Sequence, residues 1–167
     1  MKLQRDVGRS CGECTGCCKP FPVPEVGKHH YGWCVHSRAR KGCAIYPNRP
    51  VACRGYACLW LNGMGDESYR PDRLGAVLDV EDCSLSTREI GILHVLEIRP
   101  HALEQEQVKK MIEANKAQGS VVVEYRMRGP CEYTNIASWH AGTFSKEEED
   151  EIRAHLNNRR NKDLSKR

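Results

Sequence analysis

The chain has 167 residues, a mass of 19.0 kDa and a formal net charge of +4, a size that fits one domain or one domain with a small appended module. It contains no run of the roughly 20 apolar residues that a membrane-spanning helix requires, and the polar start at residues 1–6 lacks the apolar region of a secretory signal. We therefore expect a cytoplasmic protein without a membrane partner. Thiols stay reduced in that compartment, which favours metal ligation over disulfides for the ten cysteines.

The positive charge is concentrated in the first part of the chain. Residues 1–70 carry eleven Lys and Arg against five Asp and Glu, a balance of +6, whereas residues 71–167 carry fifteen against seventeen, a balance of −2. A basic segment can bind nucleic acid, but cations also offset the negative charge of several metal-bound thiolates. We prefer the second interpretation, because the aromatic residues lack the stacking pattern of single-strand binders. Nucleic acid is therefore not the expected partner.

The first predicted region is rich in loops. Residues 11–60 hold eight of the ten cysteines and five prolines, with few Leu, Ile and Val. A segment of this kind does not bury enough apolar surface to fold alone, and a metal commonly takes the place of a core. A helical turn or two is predicted between Arg49 and Trp60, with Pro50 at the first helical position.

Regular patterns follow from residue 74. The sequence predicts strands at residues 75–80, 92–98 and 121–125. Between the last two, apolar positions at helical spacing predict a helix over 102–118 that stops at Gly119. A parallel crossover fits this strand–helix–strand order, and an antiparallel arrangement stays open. Ser145 and Glu148 form a capping-box pair that opens a last helix over 146–156.

These patterns predict an α+β fold. A loop-rich cysteine metal-binding module, residues 11–61, is expected to pack on a small sheet with one or two helices, residues 72–156, in one compact unit. Residues 157–167 are strongly polar and are expected to form a tail.

The cysteine run is the most informative part of the chain. Cys11, Cys14 and Cys17 repeat the C-x2-C-x2-C spacing of the first three ligands in bacterial ferredoxins, and Cys18 follows directly. Ferredoxin's fourth cysteine would fall at position 21, which is Phe21. A fourth ligand must therefore come from later in the chain. The candidate metal ligands are Cys11, Cys14, Cys17, Cys18, Cys34, Cys43, Cys53 and Cys58.

The number of metals is left open by the spacing. In an extended backbone the side chains of Cys17 and Cys18 point to opposite faces, so the pair is expected to serve two metals, or to provide one ligand and one supporting thiol. Eight thiolates could fill two four-coordinate sites, or could hold one four-iron cluster with four cysteines left over.

This combination of spacings resembles the CxxCxxCC cysteine-cluster family. The resemblance rests on residues 11–18 and on residues 42–60, including the run Ile45-Tyr46-Pro47-Asn48-Arg49-Pro50, and it covers roughly residues 11–61. That family is described as a zinc- or iron-chelating domain, and a similar domain occurs in flagellin lysine-N-methylases. The resemblance implies metal binding and little about a reaction.

Other side chains of this segment have supporting interpretations. Arg49 and Arg54 are expected either to neutralise the thiolate centre or to be ordinary surface arginines. The rings of Tyr46, Tyr56 and Trp60 are expected to wall the centre from water, which tunes the potential of a redox centre.

The remaining metal-ligand residue types are expected to be structural. Exposed loop positions are predicted for His29, His30 and His36. A hydrogen-bonded strand position is predicted for His94, and structural thiols for Cys83 and Cys131.

The expected function is metal binding, with an iron–sulfur cluster preferred over zinc because of the ferredoxin-like run. One alternative is an enzyme or enzyme subunit, redox or protein-modifying as in methylation, that uses this centre. Another is a zinc-stabilised module that binds nucleic acid or a protein partner. A purely structural centre and a disulfide framework are further alternatives. The sequence identifies no catalytic residue and no other cofactor-binding motif.

Overall fold

The computed structural model describes residues 8–164, with side chains up to residue 158. The predicted polar start, residues 1–6, and the last residues of the predicted tail, 165–167, lie outside the described part. Within it, a four-stranded sheet and a two-stranded sheet combine with four α-helices, which confirms the α+β class. No helix in residues 8–164 is long and apolar enough to cross a membrane.

The four-stranded sheet forms the centre of the molecule. Its strand order is β3-β4-β5-β6, and its strands are β3 (Ala76–Ser84), β4 (Glu89–Glu97), β5 (Val121–Met127) and β6 (Tyr133–Ser138). Strands β3 and β4 pair antiparallel, β4 and β5 pair parallel, and β5 and β6 pair antiparallel. Helix α3 (Glu106–Ala117) makes the crossover between the parallel pair, so the parallel alternative for this unit is the correct one.

Helix α3 covers one face of the sheet. Its buried residues Val108, Met111 and Ile112 pack against alternate strand residues such as Leu78 and Val95. We call this side the α3 face. The predicted helix over 102–118 is divided, because a 3₁₀ turn (Ala102–Glu104) precedes α3.

The opposite face of the sheet is covered at one end by helix α4 (Lys146–Leu164), whose Ile152 is fully buried there. The predicted capping box is present, since the Ser145 N–H donates to Glu148 Oε2 (3.0 Å) and the Glu148 N–H donates to Ser145 Oγ (3.2 Å). The helix runs to Leu164 rather than ending at residue 156, so most of the stretch predicted as a tail is helical.

The other end of this opposite face is covered by the cysteine-rich segment. Cys58 and Trp60 pack with Val77, Leu96 and Ile98 of the sheet and its edge. Between the two apolar clusters lies a polar row in which His94 Nε2 is 3.0 Å from Glu81 Oε2 and His94 Nδ1 is 3.2 Å from the Tyr125 hydroxyl. His94 is therefore a hydrogen-bonded strand residue, as predicted.

Three shorter elements belong to the cysteine-rich segment. Strands β1 (Ser37–Arg38) and β2 (Gly42–Cys43) form a small hairpin, and helix α1 spans Val51–Gly55. Pro50 caps α1 rather than occupying its first helical position. Helix α2 (Pro71–Leu74) then leads into the sheet.

Candidate metal centre

All eight candidate cysteines line one cavity. Its volume is about 240 Å³, and we call it the cysteine cavity. Residues separated by up to 47 positions in sequence therefore meet at one place, since Cys11 and Cys58 both contribute to its wall. The two remaining cysteines lie elsewhere. Cys83 is buried beneath α4, and Cys131 is exposed.

The first four cysteines are brought together by two tight turns. The Cys14 N–H donates to the Cys11 carbonyl (2.8 Å), and the Cys18 N–H donates to the Thr15 carbonyl (2.9 Å). Residues Gly16–Cys18 form a 3₁₀ turn, not the extended backbone assumed from the sequence. The expectation that Cys17 and Cys18 diverge is therefore wrong, because both side chains face the same cavity.

Two glycines permit the close approaches that this arrangement needs. A Cβ at position 16 would lie 2.4 Å from Pro71 Cβ, so only glycine lets the turn pack against the start of α2. Gly42 has a φ of +81°, and a Cβ there would lie 2.3 Å from the Gly12 carbonyl oxygen. The β1–β2 hairpin can therefore lie directly against the first turn only with glycine at position 42.

The later cysteines are positioned by separate local structures. The Cys34 N–H donates to the Cys18 carbonyl (3.0 Å), which ties the start of the hairpin region to the first turns. Cys43 lies on β2 and Cys53 on α1. Cys58 lies beside the sheet edge, because the Leu59 N–H donates to the Leu78 carbonyl (2.9 Å).

The thiols interact with one another. The neighbouring Cys18 raises the pKa of Cys17, and burial raises it further. Cys17 in turn lowers the pKa of Cys18 to about 7, helped by the positive charges of Lys28 and Arg49 and opposed by burial. Burial raises the pKa of Cys14 to about 12.

Two cations lie in the wall of the cavity. Lys28 is buried, and its ammonium donates to the carbonyls of Lys19 (3.0 Å), His29 (3.1 Å) and Phe21. The Arg49 guanidinium stacks 3.7 Å from the Tyr46 ring centroid, and its Nε donates to the Tyr46 carbonyl (3.0 Å). Arg49 thus lines the cysteine cavity, and its neutralising role stays a prediction.

Arg54 does not reach the cavity. Its side chain is exposed, and it is absent from the cavity wall. Of the two arginines considered from the sequence, Arg54 is therefore the surface residue.

Aromatic and aliphatic side chains complete the wall. Tyr46, Tyr56 and Trp60 all line the cavity, which is the position predicted for them. Phe21 stands in the wall as well, with its ring centroid 4.6 Å from that of Tyr56. Burial raises the pKa of the Tyr56 hydroxyl, and negative charge at Asp79, Cys58, Cys17 and Cys11 raises it further.

The histidine prediction is wrong in part. His29 is exposed as expected, but His36 lines the cavity, and His30 has a buried ring nitrogen. His36 is drawn in because the hairpin that carries Cys43 also fixes it, through the Ala44 N–H that donates to the His36 carbonyl (2.9 Å).

Two further residues of the cavity wall, Lys28 and Pro71, were not predicted from the sequence. Lys28 follows a glycine with a φ of +64° in a short turn, a signal of sharp chain reversal that could have placed it near the cysteines. Pro71 comes from the start of α2, and nothing in its local sequence marks it as part of the cavity wall.

The donor set fits a thiolate-bound metal centre in its chemistry. It provides eight sulfurs, two nearby cations and a largely apolar wall, the surroundings that soft metals and clusters favour. In residues 8–164, however, no group of three or more His, Cys, Asp or Glu side chains is arranged to hold a metal ion. The cysteines share a cavity, and a metal held by several of them would require their sulfurs to lie closer together.

Comparison with known proteins finds no matching family model, no matching curated protein and no matching solved structure.

Proposed function

We propose that this protein binds a metal centre in the cysteine cavity, an iron–sulfur cluster or zinc, through Cys11, Cys14, Cys17, Cys18, Cys34, Cys43, Cys53 and Cys58. The observation that carries the proposal is that these eight residues, and neither of the other two cysteines, line one cavity. A thiolate is the form of cysteine that binds metals, and several thiolates in one pocket are the usual environment of zinc or iron–sulfur centres.

The charges around the cavity support this proposal. Several thiolates gathered in one place repel one another unless a metal and nearby cations compensate them. Lys28 is held in the wall by three backbone carbonyls, and Arg49 is held by stacking on Tyr46. Both cations are fixed where they can stabilise a negatively charged centre.

The iron–sulfur cluster remains the preferred occupant. The run from Cys11 to Cys17 has ferredoxin-like spacing, and the position where ferredoxins carry their fourth cysteine holds Phe21, which lies in the cavity wall. The fourth ligand is then one of the later cysteines on the same cavity. Zinc is the close competitor, because four-thiolate zinc sites tolerate many loop lengths.

Metal and acid-labile sulfide analysis of anaerobically purified protein tests the proposal. An iron–sulfur centre gives brown protein with iron, sulfide and a broad visible absorption that bleaches on reduction or exposure to air. If colourless protein from cells supplied with iron contains stoichiometric zinc, the occupant is zinc and not a cluster, and the proposed thiolate site is retained. Protein that contains neither metal and takes up neither when reconstituted contradicts the proposal.

A further inference from the structure

The hydroxyl of Tyr56 is buried without a hydrogen-bond partner. No hydrogen-bond partner is found for this buried atom in the described residues, and the side chain that carries it lines the cysteine cavity. Buried polar groups in native proteins almost always have a partner, and each exception calls for an explanation, such as an absent ion or ligand.

The position of this side chain is fixed on both sides. Tyr56 ends helix α1 in an extended conformation, and its ring packs against Phe21. Three residues later the chain is tied to the sheet edge by the bond from the Leu59 N–H to the Leu78 carbonyl. The ring of Tyr56 is held between the cavity and the sheet. A small rotation of this side chain therefore does not bring its hydroxyl to water.

Three candidate metal ligands, Cys11, Cys17 and Cys58, line the same cavity as Tyr56. Burial and the negative charge of Asp79 raise the pKa of Tyr56, so its hydroxyl keeps its proton. A tyrosine is neutral at physiological pH and carries one O–H donor. A donor that shares a cavity wall with candidate metal ligands is suited to a metal-bound thiolate, which accepts hydrogen bonds from groups around the metal.

We propose that the Tyr56 hydroxyl donates a hydrogen bond to a cysteine sulfur of the bound centre, which makes Tyr56 a positioning residue of that centre. This inference rests on the proposed function, because the acceptor is a sulfur drawn inward by the metal. Binding of the metal then satisfies the one buried cavity-wall hydroxyl that has no partner in the described structure. Hydrogen bonds of this kind orient the ligand and tune the metal.

The test uses Co²⁺, which occupies thiolate sites and absorbs light through sulfur-to-metal charge transfer. Reduced, metal-free protein is titrated anaerobically with Co²⁺ against a chelator of known affinity, for the wild type, Tyr56→Phe and Tyr69→Phe. The phenylalanine at position 56 keeps the ring that packs on Phe21 and removes only the hydroxyl. Tyr69 is the matched control, because it packs against the same apolar cluster as Tyr56 but lies outside the cavity wall.

We expect Tyr56→Phe to bind Co²⁺ with the same stoichiometry and about tenfold lower affinity than the wild type. Its charge-transfer band should move to longer wavelength, because a sulfur without the hydrogen bond gives up its electrons more easily. Tyr69→Phe should match the wild type in both. Circular dichroism of the three proteins shows whether they fold alike, and the band position reports on the sulfur itself, which a merely structural role of Tyr56 would not move.

An unchanged affinity and band position in Tyr56→Phe overturn the inference while leaving the proposed function intact. A wild-type protein that binds no Co²⁺ overturns the inference, and the metal and sulfide analysis then decides the proposed function separately. An equal loss in Tyr69→Phe also overturns the inference, because the effect would then be one of packing and not of the cavity-wall hydroxyl.

Discussion

Cys17 and Cys18, neighbours in the chain, both line the cysteine cavity, and Cys17 lowers the pKa of Cys18. Adjacent residues of a strand cannot face one cavity in this way, because their side chains point to opposite faces. The 3₁₀ turn Gly16–Cys18 turns both sulfurs to one side, into the cysteine cavity. Both cysteines are therefore available to one centre, and the pair does not have to serve two separate metals.

The eight cavity cysteines should determine metal content. We expect Cys14→Ser and Cys53→Ser each to lower the metal bound per chain and to weaken binding by more than about tenfold, since even loss of a residue that only supports a ligand costs 10–100-fold. Cys131→Ser is the control, because Cys131 is exposed and outside the cavity. Metal analysis of the purified variants makes the comparison, and equal loss in all three would show that the cavity does not define the site.

Removal of the metal should loosen the cysteine-rich segment before the sheet. The sheet has its own core with α3, whereas residues 11–60 place few aliphatic side chains in a core, so metal binding should contribute much of the folding free energy of that segment. We expect a chelator at neutral pH to expose residues 11–60 to protease while residues 76–127 resist. Mass spectrometry of the fragments measures this. Equal resistance with and without chelator would mean that the segment is stable without metal.

Replacement of Gly16 should separate the cysteine turn from α2. In Gly16→Ala the new Cβ would lie 2.4 Å from Pro71 Cβ, a contact that forces the two segments apart. We expect a loss of about 1–3 kcal/mol in the free energy of unfolding, as for other overpacked sites. Gly32→Ala is the control, because its nearest contact would be 3.9 Å away and its φ is not positive. Urea denaturation under reducing conditions measures both, and similar losses would contradict the steric explanation.

The start of α4 should make stability depend on pH in the acid range. Hydrogen bonds from Thr87, the Ser145 N–H and Arg88 lower the pKa of Glu148 from 4.5 to about 2. A carboxyl group with a lowered pKa in the folded state stabilises the protein fully above pH 4.5, and this stabilisation is lost as the pH falls toward 2. We expect Glu148→Gln to be less stable than the wild type at pH 7 and the difference to shrink below pH 4.5.

The control for this prediction is Glu106→Gln, which changes an exposed acidic residue in the first turn of α3. An exposed pair such as Glu106 with Lys110 contributes little to stability. Urea denaturation at several pH values compares the two variants. If the difference between Glu148→Gln and the wild type stays constant down to pH 2, the carboxylate is not the origin of the effect.

The sequence predicted the sheet best where its patterns were strongest. Strands β3, β4 and β5 and helix α3 carry apolar residues at strand or helix spacing, because each buries one face or both. Strand β6 was missed, since it lies at the sheet edge and its residues Tyr133–Ser138 are mostly exposed, which leaves little alternation to detect. The end of α4 was placed too early for the same reason, because after Leu156 no apolar stripe marks the helix.

The cysteine cavity shows a different limit of sequence reasoning. Spacing grouped the cysteines, but the cavity also contains Lys28, His36 and Pro71, which reach it through turns and through the packing of α2. Such positions depend on contacts between segments distant in sequence, which local patterns do not encode. Tyr56 was predicted as a wall residue from its neighbours, whereas its unpartnered hydroxyl could be found only in the structure.

The segment of residues 58–60 connects the cysteine cavity to the sheet. Cys58 and Trp60 line the cavity and pack against Val77 on one side of the sheet, while Leu59 packs on the α3 face. Because one short run of chain serves both parts, occupancy of the cavity and unfolding of the sheet are thermodynamically linked. Binding of a ligand of unknown identity could therefore be detected as a rise in the melting temperature of the sheet, which the ligand does not contact. By the same reciprocity, a core substitution such as Val77→Ala would weaken that ligand's binding from a distance.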